Sequence, residues 1–320
     1  YIVQRGCRER IRTDAYAPAQ NDLGADAGSG ACAVRLIHIT DPHLTEPPDW
    51  RQLFGRSHFG KRFLGYASWS RNRRHLMRRE WLQELVAEVQ ARSPDQILLT
   101  GDLTQIGTVE EIRAARVWLD ALGPPERVSF VPGNHDTYAA DSWANLSVEW
   151  DDFLPRGGTD GFPTVRQLDD VTLFGLSSAV PTRPISACGL LGEDQIARLS
   201  RALESEAGTL KILALHHPPL PGMIKFRKRL RDAARLEAVL KEAPVDVMIY
   251  GHRHRNLATV RLGAMAYCTA PASAEAAAFR QFDIEADGNG YRLQQTLVER
   301  VASGRFEAHE SETWQVSGRD

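Results

Sequence analysis

The sequence predicts a layered α/β protein, on three observations. Short apolar runs at Val34–Thr40, Gln96–Thr100, Val128–Val131, Val171–Leu176, Lys211–Leu215 and Val245–Tyr250 have strand length, and several read as strands buried on both faces. Stretches of helical periodicity separate them. After Gly251 the pattern changes to strands alone. The alternation predicts a sheet with covering helices, and the closing run predicts a second sheet built mainly from the C-terminal strands.

Taken in order, residues 1–33 are rich in Gly, Ala, Asp and Arg ("LGADAGSGA") and read as disordered or loosely attached. After the first strand, Leu82, Leu85, Val86 and Val89 share one helical face at i, i+3, i+4, i+7. Ile112, Ala115, Arg116 and Leu119 repeat that spacing, with Thr108 as a helix N-cap. Segments 193–206 and 229–242 are the next helices. Leu257–Leu262, Met265–Thr269, Phe279–Glu285 and Tyr291–Val298 come next as strands, and Gly288-Asn289-Gly290 is the hairpin turn between the last two. The domain is expected over 34–299, with an insertion at about 47–79 and a C-terminal tail at 300–320.

The residues just past each strand are more informative than the strands. The first strand leads into Asp41 and His43, the second into Asp102, and the third into Asn134, His135 and Asp136. His216 comes after the run 211–215, and His252 and His254 come after the run 245–250. Ligands of open α/β sheets sit at the carboxyl ends of strands, so these groups should converge on one crevice. A set of His, Asp and Asn without Cys suits Mn²⁺, Fe²⁺ or Zn²⁺ rather than a structural zinc site. It is too large for one ion and suits two. Asp102, alone at its strand end, is the natural shared ligand. Gly101, Gly133 and Gly251 leave room beside it for sharp turns.

These motifs resemble the calcineurin-like metallophosphoesterases. The family pattern DxH, GD, GNHD, H and GHxH reads here as Asp41-Pro42-His43, Gly101-Asp102, Gly133-Asn134-His135-Asp136, His216 and Gly251-His252-Arg253-His254, in family order from about Val34 to Glu285. The resemblance implies a four-layer β-sandwich flanked by helices, with the active site at the strand C-terminal ends. It implies one divalent ion on Asp41, His43 and His254, a second on Asn134, His216 and His252, and Asp102 bridging both. It also implies hydrolysis of a phosphodiester by a metal-bound hydroxide, with Mn²⁺ or Fe²⁺ favoured and Zn²⁺ admissible. His135 is then a general acid or charge stabiliser, and Asp136 orients its ring. The pattern is similar to that of bacterial cyclic-nucleotide and glycerophosphodiester phosphodiesterases. It is also similar to UDP-2,3-diacylglucosamine diphosphatases, which makes pyrophosphate cleavage in a lipid precursor the alternative.

Other histidines read differently. His38 lies inside a strand and is expected to be structural. His217 is expected to support the site or face phosphate rather than bind metal. His58, His75 and His309 are expected in solvent.

From Arg51 to Arg79 the chain holds nine Lys or Arg and no Asp or Glu, interleaved with Phe54, Phe59, Phe63, Tyr66 and Trp69. The segment is expected to overhang the site. It reads either as a solvated basic face or as a contact for an anionic lipid surface or an amphipathic substrate.

Whole-chain charge, 39 basic against 41 acidic residues, gives no argument for nucleic acid, which is not expected as a partner. Cys7, Cys32, Cys188 and Cys268 form no CxxC pair, which fits a reducing compartment. No stretch approaches the ~20 apolar residues of a membrane span. The expectation is a cytoplasmic enzyme acting on a small phosphate ester, with a peripheral membrane contact through 51–79 as an option.

Overall fold

The computed structural model describes residues 34–206, 209–275 and 277–317; residues 1–33, expected to be disordered, lie outside this range. The described chain runs β1 (Val34–Ile39), α1 (Trp50–Leu53), α2 (Phe59–Arg71), α3 (Trp81–Ala91), β2 (Gln96–Leu99), α4 (Val109–Leu122), β3 (Val128–Phe130) and α5 (Ala140–Glu149). It continues with β4 (Thr164–Leu168), β5 (Val171–Leu176), α6 (Glu193–Ser205), β6 (Leu210–Leu215), α7 (Ala233–Glu242) and β7 (Val247–Tyr250). It closes with β8 (Leu257–Arg261), β9 (Ala264–Cys268), β10 (Ala278–Asp287), β11 (Gly290–Arg300) and β12 (Phe306–Val316).

Two six-stranded sheets pack face to face. One has the order β12-β11-β10-β1-β2-β3, the other β4-β5-β6-β7-β9-β8. Leu36, Leu98 and Phe282 of the first meet Leu173, Ile212, Ile249 and Tyr267 of the second in an apolar layer between the sheets. The outer face of the first sheet packs on Leu85 and Val89 of α3, Leu119 of α4 and Leu146 of α5. The outer face of the second packs on Leu199 of α6 and Leu236 of α7. This is the expected four-layer arrangement. Each central strand is covered twice, which is why these strands read as continuous apolar runs.

One expectation is corrected. Of the four C-terminal strands expected in the second sheet, only β8 and β9 join it. β10 returns to pair antiparallel with β1, and β11 and β12 extend that first sheet. β1 has a free edge opposite β2, and β10 satisfies its backbone donors and acceptors. The second sheet comes instead from the middle of the chain, with β8 and β9 closing it. Residues 300–320, expected as a tail, include β12, which runs in register along β11 from Tyr291↔Val316 to Arg300↔Phe306 apart from a bulge at Leu297/Val298.

Capping agrees with the sequence. The Thr108 hydroxyl accepts from the Glu111 amide at 3.3 Å, and Glu111 answers to the Thr108 amide at 3.0 Å, a reciprocal box that fixes the start of α4.

Candidate metal centre

Parallel strands β1, β2 and β3 of one sheet and β6 and β7 of the other direct their carboxyl ends to one place. The loops leaving them are tied together by backbone. The Asp41 amide donates to the Gly101 carbonyl (3.0 Å), that of His43 to Asp102 (2.9 Å), and that of Gly251 to His216 (3.1 Å). Approach is close enough to exclude side chains at the glycines: a Cβ on Gly251 would lie 2.0 Å from Thr40 Oγ1. Gly101 needs its freedom for another reason, a φ of +75° at the turn out of β2. Several of the side chains at the site sit on unusual backbone themselves: Asp41 (φ 50°), His43 (42°), Asp102 (59°), His252 (66°) and His254 (54°) are all left-handed.

The loops gather two overlapping sets of side chains. Asp41, His43, Asp102 and His254 can each bring one ligand atom to within 4.8 Å of the others, and so can Asp102, His216 and His252. Asp102 belongs to both. Asn134 Oδ1 lies 3.2 Å from His216 Nε2, which adds it to the second set. Six of these seven residues are buried, and His254 forms the open side.

Donor chemistry fits divalent ions. Asp41 Oδ1, His43 Nε2, Asp102 Oδ2 and His252 Nε2 are buried without a hydrogen-bond partner, which an ordinary interior avoids. Two of these oxygens face imidazole nitrogens: Asp41 Oδ1 is 3.1 Å from His254 Nε2, and Asp102 Oδ2 is 3.3 Å from His216 Nε2. Carbonyls orient the rings. His43 Nδ1 donates to Thr104 O at 3.1 Å and His216 Nδ1 to Thr100 O at 2.6 Å. A carbonyl only accepts, so each Nδ1 carries hydrogen and each Nε2 is turned to the ligand position.

Electrostatics agree for most of the set. Burial opposes charge on Asp41, but the His254 imidazole beside it holds its pKa at about 2. Burial likewise opposes charge on Asp102, and His216 outweighs it, keeping that carboxyl well below its usual value. Burial pushes His43 down to about 4, which leaves a neutral imidazole ready to ligate. His216 is the exception. Burial lowers it, but Asp102 raises it to about 9, so a metal entering here must displace a proton.

His135 stands beside the set, its ring centroid 5.0 Å from that of His43. Its Nδ1 donates to the Gln105 carbonyl at 2.5 Å, which turns Nε2 outward. Burial holds its pKa well below the usual imidazole value, against the pull of Asp102 and with the help of the Arg73 charge.

Asp136 does not orient this ring, which corrects the role expected for it. Its Oδ2 accepts from the Asp102 amide (2.8 Å) and the Gly133 amide (2.9 Å). Its Oδ1 accepts from Leu103 (2.8 Å) and Thr104 (3.1 Å). Four donors require both oxygens as acceptors, so the carboxylate is the form that fits, although burial and the Asp102 charge push its pKa up to about 7. Asp136 thus clamps the loop that carries Asp102.

Glu111 has a similar part that the sequence reading missed. Its buried carboxylate accepts from the Gln105 amide at 2.7 Å and from Thr45 Oγ1 at 3.0 Å, fixing the loop that offers Gln105 O to His135. The Thr108–Glu111 spacing was the available signal.

The other histidines fall as expected. His38 bridges Thr269 and Thr100 hydroxyls at 2.8 and 2.9 Å. His217 Nδ1 pairs with Ser178 Oγ at 2.8 Å and stays outside both ligand sets.

The 51–79 segment forms α1, α2 and a 3-10 turn at Arg73–His75. Much of its charge is used internally. Arg62 is buried and bidentate to Asp141 at 2.8 Å. Lys61 reaches the Tyr138 carbonyl. Arg56 pairs with Glu110 at 2.8 Å and Arg79 with Glu46 at 3.5 Å. Arg73 turns inward, with Nη1 3.4 Å from His135 Nε2.

Fold and site together define a metallophosphoesterase architecture. The chain belongs to the calcineurin-like phosphoesterase family, whose family model matches residues 34–256. It is 30% identical over 181 residues to a probable cyclic nucleotide phosphodiesterase of Rhodococcus erythropolis, covering 55% of this chain and 56% of that protein. It is 29% identical over 225 residues to a cAMP/cGMP dual specificity phosphodiesterase of Mycobacterium tuberculosis, covering 68% and 61% respectively. The chain therefore spans a little over half the length of these relatives. Among solved structures, a purple acid phosphatase from yellow lupin superposes with a TM-score of 0.57 at 13% identity, over 89% of this chain and 54% of that one, a likeness of fold.

Proposed function

We propose that the protein hydrolyses a small-molecule phosphodiester with two divalent ions at this site. Asp41, His43 and His254 would hold one, Asn134, His216 and His252 the other, and Asp102 both. The observation that carries the reading is the membership of Asp102 in both ligand sets, with Oδ2 buried and lacking a hydrogen-bond partner. Bound ions would supply Lewis acidity at phosphorus and lower the pKa of a water; Mn²⁺ or Fe²⁺ suits the mixed Asp/His/Asn donors, with Zn²⁺ admissible.

The chain's own contribution is placement and charge. Asp136 and the Thr100, Thr104 and Gln105 carbonyls hold ligand and histidine geometry. His135 Nε2 faces outward beside the set, and would meet a phosphoryl oxygen or the departing alkoxide once it carries a proton. A cavity of about 480 Å³, lined by Leu76, Met77, Trp81 and Pro271, reaches the site at His254, a size suited to the organic group of a small diester. The relatives named as phosphodiesterases favour this reading over pyrophosphate cleavage. Among the described residues no helix is long and apolar enough to cross a membrane. Among the described residues Cys188 and Cys268 form no disulfide.

A peripheral contact with an anionic bilayer belongs to the same proposal. It rests on exposed Trp50 of α1, Phe54 just after it, and Phe63 and Leu64 of α2, flanked by exposed Arg71 and Arg74.

The test is a substrate panel with Mn²⁺: bis(p-nitrophenyl) phosphate, p-nitrophenyl phosphate, a cyclic nucleotide and a UDP-sugar lipid. Diesters should turn over fastest. Asp102→Ala should lower metal content from about two ions per chain and abolish turnover. Full activity in metal-stripped protein would defeat the reading.

A further inference from the structure

Arg73 is a basic residue of the 51–79 segment that faces the site beside His135. It opens the 3-10 turn after α2, half-buried, with its Nη1 3.4 Å from His135 Nε2. Its Nε is buried without a hydrogen-bond partner. Arg62, Arg56 and Arg79 pair with Asp141, Glu110 and Glu46, whereas Arg73 forms no ion pair with a carboxylate among the described residues. The His135 contact is a weak substitute. With Nδ1 committed to Gln105 O, Nε2 offers a lone pair, so one guanidinium hydrogen has an acceptor there while Nε has none among the described residues.

A half-buried cation without a direct ion pair is costly, and the Asp102 charge, beyond ion-pair distance, only partly offsets the cost of burial. On the proposed reading, two divalent ions bring +4, Asp41, Asp102 and Asp136 bring −3, and Arg73 brings the total to +2 before any bound water ionises. Asp136 is spent on backbone amides. Such a centre calls for an anion with several acceptor oxygens, and a guanidinium fork matches the oxygens of a phosphoryl group.

We propose that Arg73 is a substrate-binding residue, whose guanidinium donates to a non-bridging phosphoryl oxygen. The substrate oxygen replaces the Arg73–His135 contact and supplies the acceptor that Nε lacks. The inserted segment, rather than a strand end, then contributes one wall of the phosphate subsite. This rests on the phosphodiesterase reading for its substrate, but not for its anion chemistry.

The experiment uses Mn²⁺-loaded full-length protein with Arg73→Gln, Arg73→Lys and, as a control on the same turn, Arg74→Gln. Metal content and thermal midpoint are measured first. Inorganic phosphate is the probe, read by calorimetry and by inhibition of bis(p-nitrophenyl) phosphate hydrolysis. Arg73→Gln should keep its metals and bind phosphate about 10- to 100-fold more weakly, the range for losing one charge-assisted hydrogen bond. KM should rise with it, and Arg73→Lys should recover part of the loss. Arg74→Gln, exposed over the Trp69 ring, should match wild type. Phosphate affinity within twofold of wild type in Arg73→Gln overturns the proposal. So does metal loss in both Arg73 variants, which would make the residue a prop of the centre. A wild type that binds phosphate through Arg73 but hydrolyses no ester defeats the phosphodiesterase reading and leaves Arg73 standing. An active wild type with an indifferent Arg73→Gln does the reverse.

Discussion

Asp136→Asn tests whether this carboxylate serves the backbone or the neighbouring imidazole. Both oxygens accept, Oδ2 from Asp102 and Gly133 and Oδ1 from Leu103 and Thr104, at 2.8 to 3.1 Å. Asparagine has one carbonyl oxygen, so at best two of the four amides keep their acceptor. The other two face an NH₂ group, donor against donor, in a place with no accessible surface. An unsatisfied buried donor costs ~1–3 kcal/mol, so two cost ~2–6 kcal/mol before any relief from local movement. The loss should appear as a lower denaturant midpoint at unchanged slope, with reduced metal content, because the Asp102 loop is the part released. Turnover should fall by a similar factor for esters with good and poor leaving groups. A ring-orienting Asp136 would behave otherwise: stability near wild type, metals retained, and a loss confined to poor leaving groups. That outcome would refute the clamp.

The same geometry sets three further outcomes. His135→Ala should retain its metals and lose about 10²–10⁴ in kcat, less for good leaving groups if the ring acts as an acid and evenly if it only stabilises charge; metal analysis and a leaving-group series read this. His216, held up to about 9 beside Asp102, should surrender a proton when metal binds. Apparent metal affinity should therefore rise with pH to about 9, and calorimetry in buffers of different ionisation enthalpy should record proton release; pH-independent affinity would contradict it. Arg71→Gln with Arg74→Gln should weaken binding to anionic vesicles at low salt by roughly ten- to thirtyfold, at ~1 kcal/mol per basic residue, while hydrolysis of a soluble diester stays constant. Wild type that ignores such vesicles at low salt would remove the membrane contact.

The central strands and their chemistry were legible because both obey short-range rules. Buried parallel strands are apolar throughout, and their carboxyl ends are where loops can carry polar groups inward. Asp41, Asp102 and His216 announced themselves in that way. β4 and β12 did not. β4 is short, and its residues alternate between half-buried and exposed. β12 reads FEAHESETWQV, is mostly exposed, and is held by backbone pairing with β11, which leaves no mark in hydropathy. Which sheet β10 would join was equally hidden, since β1 offers a backbone edge and no side-chain pattern specifies it. Asp136 was misread because neighbours in sequence are not neighbours at the tip of a turn. The His135 ring turns to Gln105 while the Asp136 carboxylate turns back to the Asp102 loop. Arg73 was one of nine basic residues in its segment, and only the fold separates it from Arg74 beside it.

The left-handed backbone at Asp41, His43, Asp102, His252 and His254 carries a meaning beyond this molecule. Side chains other than glycine hold such angles at a cost of about 1 kcal/mol each, somewhat less for Asp and His. For backbone conformation alone, glycine would be the easier residue at each of these places, although Asp41 Oδ2 accepts from the His252 amide at 3.0 Å and Asp102 Oδ1 from the His135 amide at 2.7 Å. On the proposed reading, Asp and His at these turns trade backbone ease for chemistry. A descendant relieved of catalysis but kept for its shape would be free to take glycine at these same turns. Glycine counts at these five positions would then sort working members of such a lineage from retired ones, with no assay and with only their sequences in hand.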